Sequence, residues 1–278
     1  MTVEIGQQAT FRRTITQRDF DRFATLSGDD NPIHVDTAFA TGTHFGGTVA
    51  HGMFLYSNIG RALGQLLPNS PQLEQTMLFP NPTYAGDEIE VCVSVTAVTN
   101  TTVTLTTTTT RSDGQPGCQG EARLLLAGAS ANLPKTAVPA ATTAVTMSGY
   151  RLGQSANLMR TFTSADITEY IDLVGDENEL YRENGRLPGA LLGGLFSCLL
   201  GTELPGRGTN WLKQSLRFPR PAYVGEAITA SVTITRLRPE KHLVNLRTIC
   251  TNPAREIVCE GEALVLAKEM AETVSHHS

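Results

Sequence analysis

This chain is written twice. Arg13 to Asn31 reads RTITQRDFDRFATLSGDDN, and Arg160 to Asn178 reads RTFTSADITEYIDLVGDEN, at an offset of 147 without a gap. Thr14, Thr16, Asp19, Gly28, Asp29 and Asn31 return as Thr161, Thr163, Asp166, Gly175, Asp176 and Asn178. FPNPTYAGDEIEVCVSV from Phe79 is answered by FPRPAYVGEAITASVTI from Phe218, and Gly120-Glu121-Ala122 by Gly261-Glu262-Ala263, at offsets of 139 and 141. Duplication followed by small deletions produces such a pattern. The fold must work as two like halves that pair as a dimer would.

The expected boundaries follow. A first repeat covers 1–128 and a second covers 149–278. Between them, 129–148 is rich in Ala, Thr and Pro, has no apolar periodicity, and reads as a linker. Each half has the same coarse order. In the first, a short strand near Thr10–Ile15 precedes Thr16 at a helix N-cap, with Asp19 three residues on as a variant capping box. Gln17–Leu26 is amphipathic, with Phe20, Phe23 and Ala24 on one face. A loop rich in Gly, Asp, Asn and Pro follows, then an apolar helix over His51–Leu67. Four strand-like runs near 73–83, 87–97, 101–111 and 118–127 complete the half. The nearly all-Thr/Val run at 101–110 reads as a strand with alternate threonines facing solvent. One long apolar helix beside consecutive strands predicts an α+β unit, an antiparallel sheet wrapped around that helix.

Composition narrows the function classes. At 40% hydrophobic and 18% charged, the chain can bury a core in each half. The net charge of −5, without a Lys/Arg-rich run, argues against nucleic acid and an anionic membrane surface as partners. No apolar run approaches the ~20 residues of a membrane helix, and MTVEIGQQATF does not resemble a secretory signal. Cys92, Cys118, Cys198, Cys250 and Cys259 are odd in number and scattered through mostly apolar runs, so they read as buried free thiols in a reducing, cytoplasmic setting.

The chemistry concentrates in Ser27-Gly28-Asp29-Asp30-Asn31-Pro32-Ile33-His34 and in Val49-Ala50-His51-Gly52-Met53. Gly28 and Asn31-Pro32 force a tight loop with Asp29 and His34 at its ends. Folded back, it brings a carboxylate and an imidazole to one point, where they can hold a water, take its proton and deliver a proton elsewhere. Gly52 opens the long helix, so its N–H points out of the positive helix end toward any carbonyl placed there. Asn31 and His51 complete the candidate set. Asn31 reads more as a loop brace than as a proton carrier, and His51 more as support for the helix start than as a substrate contact.

GDDNPIH, followed by HGM 17 residues after the motif histidine, resembles the MaoC-like (R)-specific enoyl-CoA hydratases and dehydratases. The resemblance extends over both halves. It implies a tandem hot-dog fold packed as a pseudo-dimer, a catalytic Asp–His pair at Asp29 and His34, and an oxyanion donor at Gly52. The implied reaction is syn addition of water to a trans-2-enoyl thioester, or the reverse dehydration, without metal or redox cofactor. The implied partner is an acyl-CoA or acyl carrier protein thioester. A homodimer of pseudo-dimers is compatible with the repeat.

The second repeat departs from that pattern. Its loop reads Gly175-Asp176-Glu177-Asn178-Glu179-Leu180-Tyr181, with Tyr181 where a histidine belongs and Pro188 in place of His51. Asn31 to His51 spans 20 residues; Asn178 to Pro188 spans 10. A phenol near pKa ~10 does not accept a proton at neutral pH, so the second repeat is expected to be non-catalytic. In tandem members of the family, loss of this segment makes room for a longer acyl chain. Plainer assignments hold elsewhere. His44 reads as surface loop and Asp30 as a solvated loop residue. Trp211 and Tyr223 read as core or half–half interface. Arg207, Lys213, Arg217 and Arg220 read as a solvated basic face, and His276 and His277 as tail. A hot-dog thioesterase and a non-catalytic acyl-thioester binder are the competing functions.

Overall fold

The computed structural model describes residues 3–126, 128–129, 146–147 and 149–267. Most of the expected linker, with His276 and His277, lies outside the described residues. The first half runs β1 (Gln8–Thr14), α1 (Gln17–Ser27), α2 (Pro32–Val35), α3 (Thr37–Thr41), α4 (Gly52–Leu66), β2 (Gln72–Leu78), β3 (Glu88–Val98), β4 (Thr102–Arg111) and β5 (Pro116–Leu125). Two short strands follow, β6 (Thr146–Met147) and β7 (Tyr150–Arg151). The second half then repeats the order as β8 (Ser155–Thr161), α5 (Ser164–Val174), α6 (Glu179–Arg182), α7 (Gly189–Thr202), β9 (Asn210–Arg217), β10 (Ala227–Arg238), β11 (Leu243–Thr251) and β12 (Ile257–Leu266). Among the described residues α3 has no second-half counterpart, which accounts for the shortened segment.

Local chemistry sets the repeated elements. Thr16 and Asp19 form a complete capping box on α1, and Thr163 and Asp166 form the same box on α5. Both helices stop at a left-handed glycine, Gly28 (φ 78°) and Gly175 (φ 74°), a conformation that costs glycine nothing. The expected strand at 73–83 is shorter than its apolar run. It ends at Leu78, because Phe79-Pro80-Asn81-Pro82 cannot continue a ladder. The long helix begins one residue later and ends one earlier than expected, with His51 as its N-cap and Leu67 as its C-cap.

Ten strands form one antiparallel sheet in the order β1-β3-β4-β5-β2-β9-β12-β11-β10-β8, with β6 and β7 paired apart from it, so the halves join edge to edge through β2 and β9. Thr76 pairs with Ser215, its own repeat counterpart, so the pseudo-twofold axis passes between them. Beside this seam Gly120 and Gly261 leave no room for a side chain. A Cβ on either would lie 1.8 or 1.7 Å from a backbone oxygen of β2 or β9. That close approach explains why glycine recurs in both Gly-Glu-Ala echoes. The sheet curls around α4 and α7, which pack on each other and are buried along most of their length. On β4 the alternation places Val103, Leu105, Thr107 and Thr109 inward, and Thr107 is held by Gln75 Nε2 at 3.1 Å.

Candidate active site

The loop after α1 is fixed from within. Asn31 N–H donates to Asp29 Oδ1 (3.3 Å), and Ile33 N–H donates to Asn31 Oδ1 (3.3 Å), which caps α2. Asn31 Nδ2 reaches Gly201 O in the other half at 3.4 Å. Asn31 braces the loop through these contacts and also lines the cleft. The turn of α2 swings His34 back over Asp29, leaving His34 Nε2 3.9 Å from Asp29 Oδ2. That gap is too long for a direct hydrogen bond and short enough for one water to touch both atoms.

The imidazole is oriented by its far nitrogen. Nδ1 lies 2.7 Å from Val49 O, and a carbonyl only accepts. Nδ1 therefore carries the proton, and Nε2 presents a lone pair toward Asp29. Burial, the largest effect, pushes the His34 pKa below the ordinary histidine value, opposed by Asp29 and the Val49 contact. His34 is thus neutral at pH 7. Asp29 is almost fully buried. Its Oδ2 accepts a 2.5 Å hydrogen bond from Ser197 Oγ, on α7 of the second half.

His51 does not face the cleft, which corrects its placement among the substrate-binding candidates. It is wholly buried, donates from Nε2 to Asp29 O (2.9 Å), and stacks on His34 with ring centroids 3.8 Å apart. Burial, then His34, lowers its pKa well below the histidine norm. It forms a neutral shelf beneath the His34 imidazole. Asp29, His34 and His51 each offer a ligand atom within 4.8 Å of the others. The ring nitrogens not turned to a backbone carbonyl are His34 Nε2 and His51 Nδ1.

Asp29, His34 and Gly52 line one cleft of about 780 Å³, counted to its open mouth. Gly52 begins α4, where a helix N–H has no partner within the helix. A Cβ there would lie 2.8 Å from the Phe79 ring, so glycine is required for packing as well as for access. The far wall comes from the second half: Ser197, Leu200, Gly201, Thr209, Asn210 and Trp211. Trp211 was expected in the core or interface; it is half-buried on β9, tilted against Phe79, and borders the cleft. Tyr223 is 42% exposed and belongs to neither. The basic face is mostly paired: Arg217 with Glu74 and Glu260, Arg220 with Glu256. His44 is exposed, its ring tilted against Phe45. Cys92 and Cys198 are only half-buried, against the expectation of buried thiols, and Cys198 is on a helix and not a strand. It sits half-buried on α7 with Sγ 3.2 Å from Gly28 O.

A family model for the MaoC like domain matches residues 2–115. The (R)-specific enoyl-CoA hydratase of Rhodospirillum rubrum is 41% identical over 124 residues, covering 41% of this chain and 85% of that protein. The enzyme of the same description from Aeromonas caviae is 38% identical, covering 41% of this chain and 92% of its own. The chain belongs to the MaoC-like family. A solved MaoC-like dehydratase superposes on 94% of this chain and 98% of its own with a TM-score of 0.74 at 17% identity. A Mycobacterium tuberculosis protein described as a double hotdog fold covers 95% and 96% at a TM-score of 0.72 and 12% identity. The architecture is thus the double hot-dog that the resemblance implied, with the two α+β halves that the repeat predicted.

The MaoC-like site has a pseudo-symmetric counterpart in a second, narrower cleft of about 550 Å³, again counted to its open mouth. There Tyr181 stands for His34, Arg186 for Val49 and Gly189 for Gly52, while Gly60, Gln72 and Arg220 stand for Ser197, Trp211 and Asn81. Tyr56, the counterpart of Gly193, fills the space beside Gly189. A Cβ on Gly189 would meet its hydroxyl at 2.9 Å. Asp176 is buried with Oδ2 unpartnered, and burial raises its pKa to about 6 despite Asn178 N–H and Arg61. The shortened segment before α7 borders this second cleft and not the first. Ser197 and the Tyr56/Gly193 exchange escaped the sequence reading. Laying α4 on α7 at the offset of the two glycines would have exposed both.

Proposed function

We propose that this protein adds water to trans-2-enoyl thioesters to give (R)-3-hydroxyacyl thioesters, or runs the reverse dehydration, at one site in the first repeat. The observation that carries this reading is the buried pair of Asp29 Oδ2 and His34 Nε2, 3.9 Å apart and facing the cleft that Gly52 also lines. A water held by both is aimed at Cβ of a substrate whose carbonyl oxygen accepts from Gly52 N–H. Its oxygen bonds to Cβ while the pair takes its proton, and the proton delivered to Cα completes the addition on the same face. The helix-end N–H stabilises the enolate-like oxygen in between. Ser197 holds Asp29 with an oxygen turned to the water, so the site needs both repeats although only one supplies the pair.

The second repeat serves as a non-catalytic partner. Its Tyr181 lacks a basic lone pair at neutral pH, and burial pushes the phenol still higher. On this reading 1–128 is the catalytic repeat and 149–278 the degenerate one. The thioester carrier is CoA or an acyl carrier protein, and the setting is a reducing cytoplasm, consistent with five free thiols. A pairing of two pseudo-dimers fits the exposed edges at β1 and β8. Among the described residues no helix is long and apolar enough to cross a membrane. The test is a panel of straight, branched and carrier-bound enoyl thioesters, followed for product chirality and free thiol. Formation of (R)-3-hydroxyacyl product without thiol supports a hydratase. Thiol release without hydration replaces it with a thioesterase, and binding with no turnover across the panel replaces it with a binder.

A further inference from the structure

The second cleft has been rebuilt as well as disabled. Arg186 occupies the position that Val49 holds in the first cleft. Its guanidinium lies largely buried, within electrostatic reach of the Tyr181, Tyr223 and Tyr56 phenols. Among the described residues it makes no ion pair and no side-chain hydrogen bond, and no carboxylate lines the cleft. Asp176, a remnant of the old site, does not line this cleft, and Arg61 beside it donates to Val174 O. A buried cation with no anion is costly, and an arginine fork is shaped for a carboxylate. Around it, Leu63, Leu124, Leu180, Leu187, Leu192 and Phe218 form an apolar wall. Gly189 still presents the start of the 14-residue helix α7 to the same space.

We propose that this second cleft binds a small monocarboxylate with an apolar tail, its carboxylate seated on Arg186. The site selects free acid over thioester. A thioester carbonyl brings no charge to offset the guanidinium, and Tyr56 takes the space that a thioester would use beside Gly189. The inference stands apart from the hydratase reading, because none of its residues belongs to the first cleft.

Isothermal titration calorimetry on the full chain tests it, with hexanoate and 1-hexanol as probes. Arg186→Met, Arg186→Lys and His34→Ala are compared with wild type. Arg186→Met replaces an unpaired buried cation by an apolar chain of similar length, so its urea midpoint is expected at or above wild type. Wild type and His34→Ala are expected to bind hexanoate alike and hexanol not at all. Arg186→Met should lose about tenfold or more in affinity, the scale of one hydrogen bond to a charged group, and Arg186→Lys should keep part of it. Equal binding of hexanol, undiminished binding by a folded Arg186→Met, loss of binding in His34→Ala, or no binding of hexanoate at millimolar concentration would each overturn the assignment.

Discussion

Asp176→Asn is expected to stabilise this protein by an amount that depends on pH. The carboxyl is buried in the degenerate site, one of its oxygens has no partner, and its pKa rises from 3.8 to about 6. A carboxyl raised on folding favours the native state fully below its unfolded value. That contribution is lost as pH climbs through the folded value. At 1.36 kcal/mol per pH unit, the rise from 3.8 to about 6 makes Asp176 cost the native state about 3 kcal/mol at pH 8 and about 1.6 kcal/mol at pH 5. Asparagine carries no such cost. Its amide adds a pH-independent amount that cancels between the two pH values. Urea unfolding of wild type and variant at pH 5 and pH 8 should show the variant's relative stability rising by about 1.4 kcal/mol between them. A constant difference, or one that shrinks as pH rises, would refute the buried-carboxylate reasoning.

Four other outcomes are expected. His34→Ala should lower turnover by roughly 10²–10⁴-fold, the scale of a positioned acid–base group, in steady-state kinetics on an enoyl-CoA. Ser197→Ala, which removes a buried hydrogen bond to a carboxylate worth about 1.5–3 kcal/mol, should lower the unfolding free energy by about that amount in urea titration and lower kcat/KM by roughly 10–100-fold. Hydration requires neutral His34, whose pKa burial lowers, so the acid limb of a kcat/KM–pH profile should have its midpoint below the ordinary value of 6.5. Tyr181→His added to Asp29→Asn should restore no activity, since Gly60 and Tyr56 still stand where Ser197 and Gly193 serve the first site.

What the sequence reveals and what it conceals divide along a physical line. Caps, breaks and loops are local, so Thr16, Asp19 and Gly28 announced α1, and the Asp29–His34 loop could be read from Gly, Asn and Pro alone. The repeat carried the rest of the fold, because two copies of one pattern must bury the same faces. Contacts across the pseudo-twofold axis are set by tertiary packing and leave no spacing signal. Ser197 stands 168 residues from the carboxylate it holds. Trp211 reaches the first cleft only because β9 joins β2 edge to edge. His51 could be read as support for the helix start, but that its ring lies beneath His34 follows only from the N-cap geometry.

The most direct test of the account is hydration of crotonyl-CoA by wild type, Asp29→Asn and Asp176→Asn in parallel, scored by loss of the enoyl thioester and appearance of 3-hydroxybutyryl-CoA. The two substitutions are the same chemical change at pseudo-symmetric positions. One site in the first repeat predicts that Asp176→Asn turns over like wild type while Asp29→Asn is nearly inactive. Equal losses in both variants, or activity that survives Asp29→Asn, would contradict it.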